Sequence, residues 1–183
     1  MEYLSDDSKA KKMLKTSAIM DFVTAAVYLA VSVAIIVIGA TMMNFKPEGE
    51  EAAEVLGSAI AGIFVILVGI IFVFFGALSL ILFIVSVAYG GTTLGLLKKP
   101  VDVIARRVRA IKVGAILGFI FAAALIIAGV AAAIGAPAAI ALFLALAAIT
   151  IASSIVNLKM VNAVEEEWRL ELERRQEAGE YNI

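Results

Sequence analysis

Long runs of apolar residues set the pattern of this chain. Residues 55–97 and 113–158 contain no Asp, Glu, Lys or Arg, and residues 17–43 contain Asp21 as their one charged side chain. A helix that crosses a bilayer needs about 20 apolar residues, so each run is long enough to do so. The pattern therefore predicts α-helices whose surroundings are lipid rather than water.

Turn-forming residues divide these runs into four predicted helices. Breaks are expected in the loop 44–51, at Gly90-Gly91 ahead of Pro100, and at the turn 135–137. Proline suits the first turn of a helix, where its missing N–H is not needed. The predicted membrane spans are residues 17–43, 55–89, 110–134 and 137–159.

These spans predict one domain of the all-α class, an integral membrane four-helix (tetraspan) bundle of up-down topology over residues 17–160. Residues 1–16 are expected to form a cytoplasmic N-terminal segment. No Gly or Pro interrupts residues 138–178. Residues 160–183 are therefore expected to continue the fourth helix as a short cytoplasmic stalk.

Lysine and arginine in the flanks predict the orientation, because basic flanks are retained in the cytoplasm. The N-terminal segment and the connection between the second and third helices are basic. The loop 44–54 carries one Lys against four Glu, and the turn 135–137 carries no charge. We therefore expect both termini in the cytoplasm, with the cell membrane as the host. The basic residues are Lys9, Lys11, Lys12, Lys15, Lys98, Lys99, Arg106, Arg107, Arg109 and Lys112.

The second span is too long for a bilayer. At about 1.5 Å per residue, residues 55–89 extend over about 52 Å, whereas the hydrocarbon core is about 30 Å thick. Tilting removes only a few ångströms of such an excess. We expect this helix either to kink near Gly76 or to project beyond the lipid and be covered by protein.

Two apolar seams predict where that cover lies. Their members recur at helical spacings of three and four, which places each set on one face of its helix. We expect the ends of helices 2, 3 and 4 to bury these seams against each other in a water-exposed stub. The seams are Val101, Ile104, Val108 and Ile111 in the third helix and Val161, Val164, Trp168 and Leu172 in the fourth.

Opposite charges predict the register of the stub. Counting outward from a turn at residues 136–137 places Arg106 opposite Glu167 and Arg107 opposite Glu166. We expect the basic run Arg106, Arg107 and Arg109 to pair with the acidic run Glu165, Glu166 and Glu167; the alternative is two solvated charged faces. Each exposed pair contributes about 0–1 kcal/mol, so its main effect is on register.

The stalk carries two further charge pairs at a favourable helical spacing, Glu165 with Arg169 and Glu171 with Arg175. Each such pair adds roughly 0.2–0.5 kcal/mol to helicity. The stalk is either a docking element or a solubilising end of the fourth helix. Its apolar seam is too short for a long coiled coil.

Small residues form three stripes. In lipid, helices associate through close backbone approach rather than through hydrophobic burial, and small side chains permit that approach. We expect most of this packing to lie within one bundle, with room for one stripe to join protomers. The stripes are Gly62, Gly69 and Gly76 in the second helix, Gly114, Gly118 and Ala122 in the third, and Ala138, Ala141, Ala145, Ala148 and Ala152 in the fourth.

The first helix carries a polar face formed by Asp21, Thr24, Tyr28 and Ser32. A carboxylate inside a membrane span indicates a functional site by default. Asp21 is also close to the predicted cytoplasmic boundary. It is therefore interpreted either as an interfacial acid bound to a Lys or Arg, or as the mouth of a polar path or a proton site.

The composition excludes several kinds of chemistry. The chain has no Cys and no His. Thiol chemistry, a His-supported serine triad and the commonest neutral metal ligand are therefore absent. We find no nucleotide-binding loop, and the net charge of −1 gives no general attraction to nucleic acid. The sequence thus predicts no enzyme, no cofactor and no metal site.

The function that remains is assembly. We expect a non-enzymatic multipass membrane protein that acts through helix packing, as an accessory or structural subunit or as a self-associating scaffold. Its expected partners are the lipid bilayer and either copies of itself or another membrane protein; no small-molecule substrate is inferred. The alternative is an oligomeric channel or passive transporter, lined by the first helix or by the glycine face of the second.

Overall fold

The computed structural model describes residues 3–5, 7–44, 52–132 and 139–178. In these ranges the chain forms four α-helices, all of them long and apolar enough to cross a membrane. This confirms the predicted all-α, multipass class. The predicted loop 44–51, except for Asn44, and the predicted turn 135–137 lie outside the described residues. The helices are α1 (Lys9–Met43), α2 (Ala52–Leu96), α3 (Val101–Ala132) and α4 (Ala139–Glu177).

Helix α1 begins well before the predicted span. Ser8 caps it, because its Oγ accepts a hydrogen bond from the backbone N–H of Lys11 at 3.1 Å. Such a cap satisfies one of the free N–H groups of the first turn. Ala10 and Leu14, one turn apart, are fully buried. The first turns are therefore helical because they pack against protein, which the polar N-terminal sequence did not indicate.

The predicted break at Gly90-Gly91 is wrong, because α2 continues through both glycines to Leu96. Each glycine in a helix costs about 1 kcal/mol relative to alanine. Burying one Leu side chain contributes about 1.5–3 kcal/mol, and both Leu96 and Thr93 are buried at this end. Tertiary packing of the last turn thus outweighs the weak helix propensity of the glycines.

The chain divides into two compact units, each built from parts of several helices. The first unit comprises Met1–Thr24, Val85–Ala122 and Ala148–Ile183, and the second comprises Ala25–Ile84 and Ala123–Ala147. The first unit therefore contains the ends of the chain, the end of α2, the start of α3 and most of α4.

A hydrophobic cluster, the stub core, lies at the centre of the first unit. The whole predicted seam of α3 belongs to it, as do Val161 and Val164 of the α4 seam. Trp168 packs against it, whereas Leu172 is not part of it. Leu96 belongs to it as well, so protein covers the end of α2, as the second alternative for that long helix required. The start of α1 joins it too, a contribution that the sequence analysis missed. The stub core consists of Leu4, Ala10, Leu14, Leu96, Val101, Ile104, Val108, Ile111, Met160, Val161, Ala163 and Val164.

The predicted arginine–glutamate pairs are not the ones that form. Glu165 pairs with Lys112 at 3.4 Å and Glu166 with Lys9 at 3.5 Å. The reason is the helical period, since Val108 and Ile111 point into the stub core while the three arginines listed above are exposed on the other side of α3. Lys112 faces α4 instead. The antiparallel direction of the two helices is nevertheless as expected.

In the stalk, one of the two expected charge pairs is present. Arg175 Nε donates to Glu171 Oε1 at 2.8 Å, and Arg174 lies 3.4 Å from the other oxygen of that carboxylate. Glu165 is bound to Lys112 rather than to Arg169. Glu171 is almost fully buried between its two arginines and the N-terminal segment, whose Tyr3 forms an isolated β-bridge with Pro100.

Close packing of α1 against α2 organises the second unit. Gly62, Gly69 and Gly76 are all buried. A Cβ added to Gly69 would lie 2.7 Å from the carbonyl oxygen of Gly39, and a Cβ added to Gly39 would lie 2.7 Å from the carbonyl oxygen of Gly69. Gly76 is in similar contact with Ile36. Gly69 and Gly76 of the α2 stripe therefore pack against α1 of the same chain.

Aromatic rings pack α2 against α4 in the second unit. Phe143 of α4 makes edge contacts with Phe72 and Phe75, at centroid distances of 6.1 and 5.6 Å. Gly129 of α3 meets the Cβ of the same phenylalanine. A ring thus fills the space that the small glycine leaves.

Gly69→Ala should lower the free energy of unfolding by about 1–3 kcal/mol, because the new methyl group forces two helix backbones apart. Gly57→Ala is the matched control, since it lies on the same helix with nothing within 4 Å of its Cβ position. That variant should gain about 0.5–1 kcal/mol from the better helix propensity of alanine. Unfolding in detergent micelles measures both. Equal effects of the two substitutions would contradict the close approach of α1 and α2.

Candidate functional site: a buried polar network on α1 and α4

A group of polar side chains is buried in the first unit, where α1 lies against α4. Ser17, Asp21 and Thr24 are four and three residues apart, so they share one face of α1. Ser153 and Asn157 occupy the facing side of α4. All five residues are buried, and Asp21 is only 3% exposed. We call this group the polar network.

Direct hydrogen bonds connect the two helices. Ser153 Oγ and Asn157 Nδ2 each donate to Asp21 Oδ1 at 3.1 Å. Ser17 Oγ donates to Asn157 Oδ1. The amide of Asn157 thus bridges two side chains of α1, which fixes both its orientation and the register of α4 against α1.

Two buried oxygens of the polar network have no hydrogen-bond partner among the described residues. They are Oδ2 of Asp21 and Oγ1 of Thr24. A buried polar atom without a partner is uncommon and costly. The network therefore holds one carboxylate oxygen fully and leaves the other available to a further donor.

The interpretation of Asp21 as an acid bound to a Lys or Arg is wrong for the described residues, whereas its position at the membrane interface stays a prediction. Its partners in the described structure are a serine and an asparagine. The nearest lysines along α1, Lys12 and Lys15, are exposed. Since each residue turns the helix by about 100°, they lie on a different face from the aspartate. Neutral donors surround this carboxylate instead of a counter-charge.

The rest of the predicted polar face belongs to the second unit. Tyr28 and Ser32 are buried there, so all four residues of the predicted polar face are buried. Ser32 Oγ donates to the backbone oxygen of Tyr28 at 2.5 Å. This bond to the preceding turn satisfies a hydroxyl within its own helix.

The sequence analysis missed the α4 half of the polar network. A signal was present in an otherwise apolar span, because Ser153 and Ser154 lie three and four residues after Thr150, and Asn157 lies four and three residues after them. Such a stripe indicates one polar helix face. It lies next to an alanine stripe that drew attention to packing instead.

The remaining small-residue stripes differ in their environment. In the first unit, Gly114 faces the hydroxyl of Tyr89, and Gly118 faces Ser154 Oγ. Both glycines are therefore in contact with helices of the same chain. On α4, in contrast, Ala141, Ala145 and Ala148 are exposed and Ala152 is half-buried. Ala138 lies outside the described residues.

The part of the chain that the structure describes contains no group of three or more His, Cys, Asp or Glu side chains that could hold a metal ion.

Chemically, the polar network can do two things. It locks two helices in register, and it offers Asp21 Oδ2 to a hydrogen-bond donor.

Comparison with known proteins yields no matching family model, no matching curated protein and no matching solved structure.

Asn157→Ala should lower the free energy of unfolding by about 1–3 kcal/mol, because it removes one partner each from the buried Ser17 and Asp21 side chains. Asn162→Ala, an exposed position of the same helix, should change it by less than about 0.5 kcal/mol. Chemical unfolding in detergent compares the two variants. If they unfold alike, the asparagine bridge between α1 and α4 is not a stabilising contact.

Proposed function

We propose that this chain is a non-enzymatic multipass membrane protein that acts through helix packing and assembly, as an accessory or structural subunit or as a self-associating scaffold. The observation that carries the proposal is the contrast between its small-residue stripes. Within the stripes, Gly69 and Gly76 of α2 and Gly114 and Gly118 of α3 face helices of the same chain, whereas Ala141, Ala145 and Ala148 of α4 are exposed.

An outward stripe of small residues favours helix association in lipid. Hydrocarbon chains are as apolar as leucine, so helices gain little from apolar burial and associate where their backbones can approach closely. The α4 alanines recur at spacings of three and four, which lines them up on one face. They offer a second α4, or a partner helix, a smooth surface to pack against.

The buried acids support a structural role rather than catalysis. Asp21 is held by Ser153 and Asn157, and Glu171 is held by Arg174 and Arg175. Neither acid is paired with a His or Cys side chain that could act as a general base or a nucleophile, because the sequence contains no His and no Cys. Asp21 joins α1 to α4, and Glu171 binds two arginines of its own helix.

The same proposal includes the orientation and location of the protein. We place both termini in the cytoplasm and the protein in the cell membrane. The support is the charge of the flanks, since basic residues cluster before α1 and between α2 and α3, while the loop 44–54 is acidic. Basic segments near membrane spans are retained inside the cell.

The purified protein should have the mass of two or more chains, or should retain a membrane partner, when solubilised in mild detergent. Ala145→Leu with Ala148→Leu should weaken this association by about tenfold, since larger side chains keep the backbones apart. Ala77→Leu with Ala124→Leu is the control, because these alanines are exposed on other helices. Mass photometry or native mass spectrometry measures the outcome.

Two results would count against the assembly proposal. One is a strictly monomeric wild-type protein with no partner bound. The other is an equal loss of association in the α4 pair and in the control pair, which would indicate a nonspecific effect of added leucines.

An oligomeric channel or passive transporter is the second candidate. One specific observation favours it, namely the unpartnered Asp21 Oδ2 and Thr24 Oγ1 inside an apolar span. The glycine face of α2 is a weaker element of this candidate, because Gly69 is in contact with Gly39 of the same chain. Ion flux into liposomes that disappears in Asp21→Asn would favour the channel over assembly.

A further inference from the structure

Two helices of the first unit carry the same arrangement of exposed residues. On α1, two lysines are followed by three apolar side chains, and on α3 two arginines are followed in the same way. In both helices the five positions follow the spacing 0, +3, +7, +10 and +11. The α1 set is Lys12, Lys15, Ile19, Phe22 and Val23, and the α3 set is Arg106, Arg109, Val113, Ile116 and Leu117.

This spacing puts each set on a single helix face. At about 100° per residue, its five positions fall within a sector of roughly 100°. The opposite faces are buried, with Leu14 and Ala18 on α1 and with Val108, Ile111 and Ala115 on α3. The basic residues therefore continue the apolar, outward face of their helix instead of turning toward the protein.

On each helix, the point at which the exposed residues change from apolar to basic marks the edge of the hydrocarbon core of the membrane. Ile19 and Val113 are each more than half exposed, and in a membrane-spanning protein such side chains contact lipid tails. The nearest basic residue of each set lies four positions earlier, about 6 Å along the helix axis. Long Lys and Arg side chains at this depth extend toward the headgroups.

These cations are mostly without acidic partners. No carboxylate of the described residues lies within 4 Å of the charged groups of Lys15, Arg106 or Arg109. Lys12 has Asp7 at 3.9 Å, with both side chains largely exposed. Two glutamates of α4 bind other lysines, Glu165 with Lys112 and Glu166 with Lys9. Among the described residues, positive charge at the lipid edge is therefore left without an acidic partner on both helices.

We propose that Lys12, Lys15, Arg106 and Arg109 bind the headgroups of anionic phospholipids. The ligand is the phosphate level of an acidic lipid whose tails lie along the apolar continuation of the same helix face. An anionic headgroup supplies charge that the protein does not, and arginine binds phosphate oxygens through paired N–H donors. This proposal is independent of self-association, because it concerns α1 and α3 rather than the alanine stripe of α4.

The test uses the full chain reconstituted in phosphatidylcholine bilayers with spin-labelled phosphatidylglycerol or spin-labelled phosphatidylcholine as probe. Electron paramagnetic resonance gives the relative association of each lipid with the protein surface. The wild type should prefer phosphatidylglycerol. Arg106→Gln with Arg109→Gln, and Lys12→Gln with Lys15→Gln, should each reduce that preference, by roughly fivefold at most for each charge removed.

Lys98→Gln with Lys99→Gln is the matched control. It removes two positive charges from exposed positions that precede the start of α3 and therefore lie further than Arg106 from the apolar face of that helix. This variant should keep the preference for phosphatidylglycerol, and high salt should remove the preference in the wild type by screening. The proposal is overturned if the wild type binds both lipids equally, or if the control lowers the preference as much as the other two pairs.

Discussion

Hydrocarbon cannot form hydrogen bonds, and this constraint governs every polar group in the apolar part of the chain. The backbone meets it by forming helices. Exposed threonines meet it locally, since Thr16, Thr41 and Thr92 each donate to the carbonyl oxygen four residues earlier. The polar side chains that cannot do so are turned inward, and the polar network on α1 and α4 is the main result in the first unit.

The starts of α1 and α3 and the end of α4 obey a different rule, because they extend beyond the apolar runs. There the ordinary hydrophobic effect applies, and Ile104, Val108 and Val161 are fully buried together in the stub core. The same helix α3 thus buries one face in the stub core and exposes Arg106 on the other. The end of α2 packs into the stub core, where apolar burial stabilises it. This explains why α2 continues past the glycines at which its apolar span was expected to end.

Much of the fold could be predicted from one-dimensional patterns. The apolar runs determined the four helices, and the spacing of Val101, Ile104 and Val108 identified a buried face without knowledge of its partner. The ion pairs between helices could not be predicted, because they depend on how each helix is rotated about its own axis. Whether Glu165 pairs with Arg109 or with Lys112 is decided by which α3 side chain faces α4, and charge alone does not distinguish them.

The candidate site shows the same division. Asp21 stood out because it is the one carboxylate within an apolar run, but its partners Ser153 and Asn157 lie more than 130 positions away in sequence. Their spacing on α4 indicated a polar face, whereas the pairing of that face with α1 required the three-dimensional packing. The buried position of the acid, without a basic partner among the described residues, followed from that packing.

Assembly within a bilayer presupposes that the four helices cross it. The native chain has no cysteine, so a single introduced thiol reports its own position without background. Lys98→Cys and Glu50→Cys, each in sealed vesicles treated with a membrane-impermeant maleimide, test the crossing most directly. The account predicts that the two thiols are labelled from opposite sides of the membrane; labelling of both from the same side would contradict it.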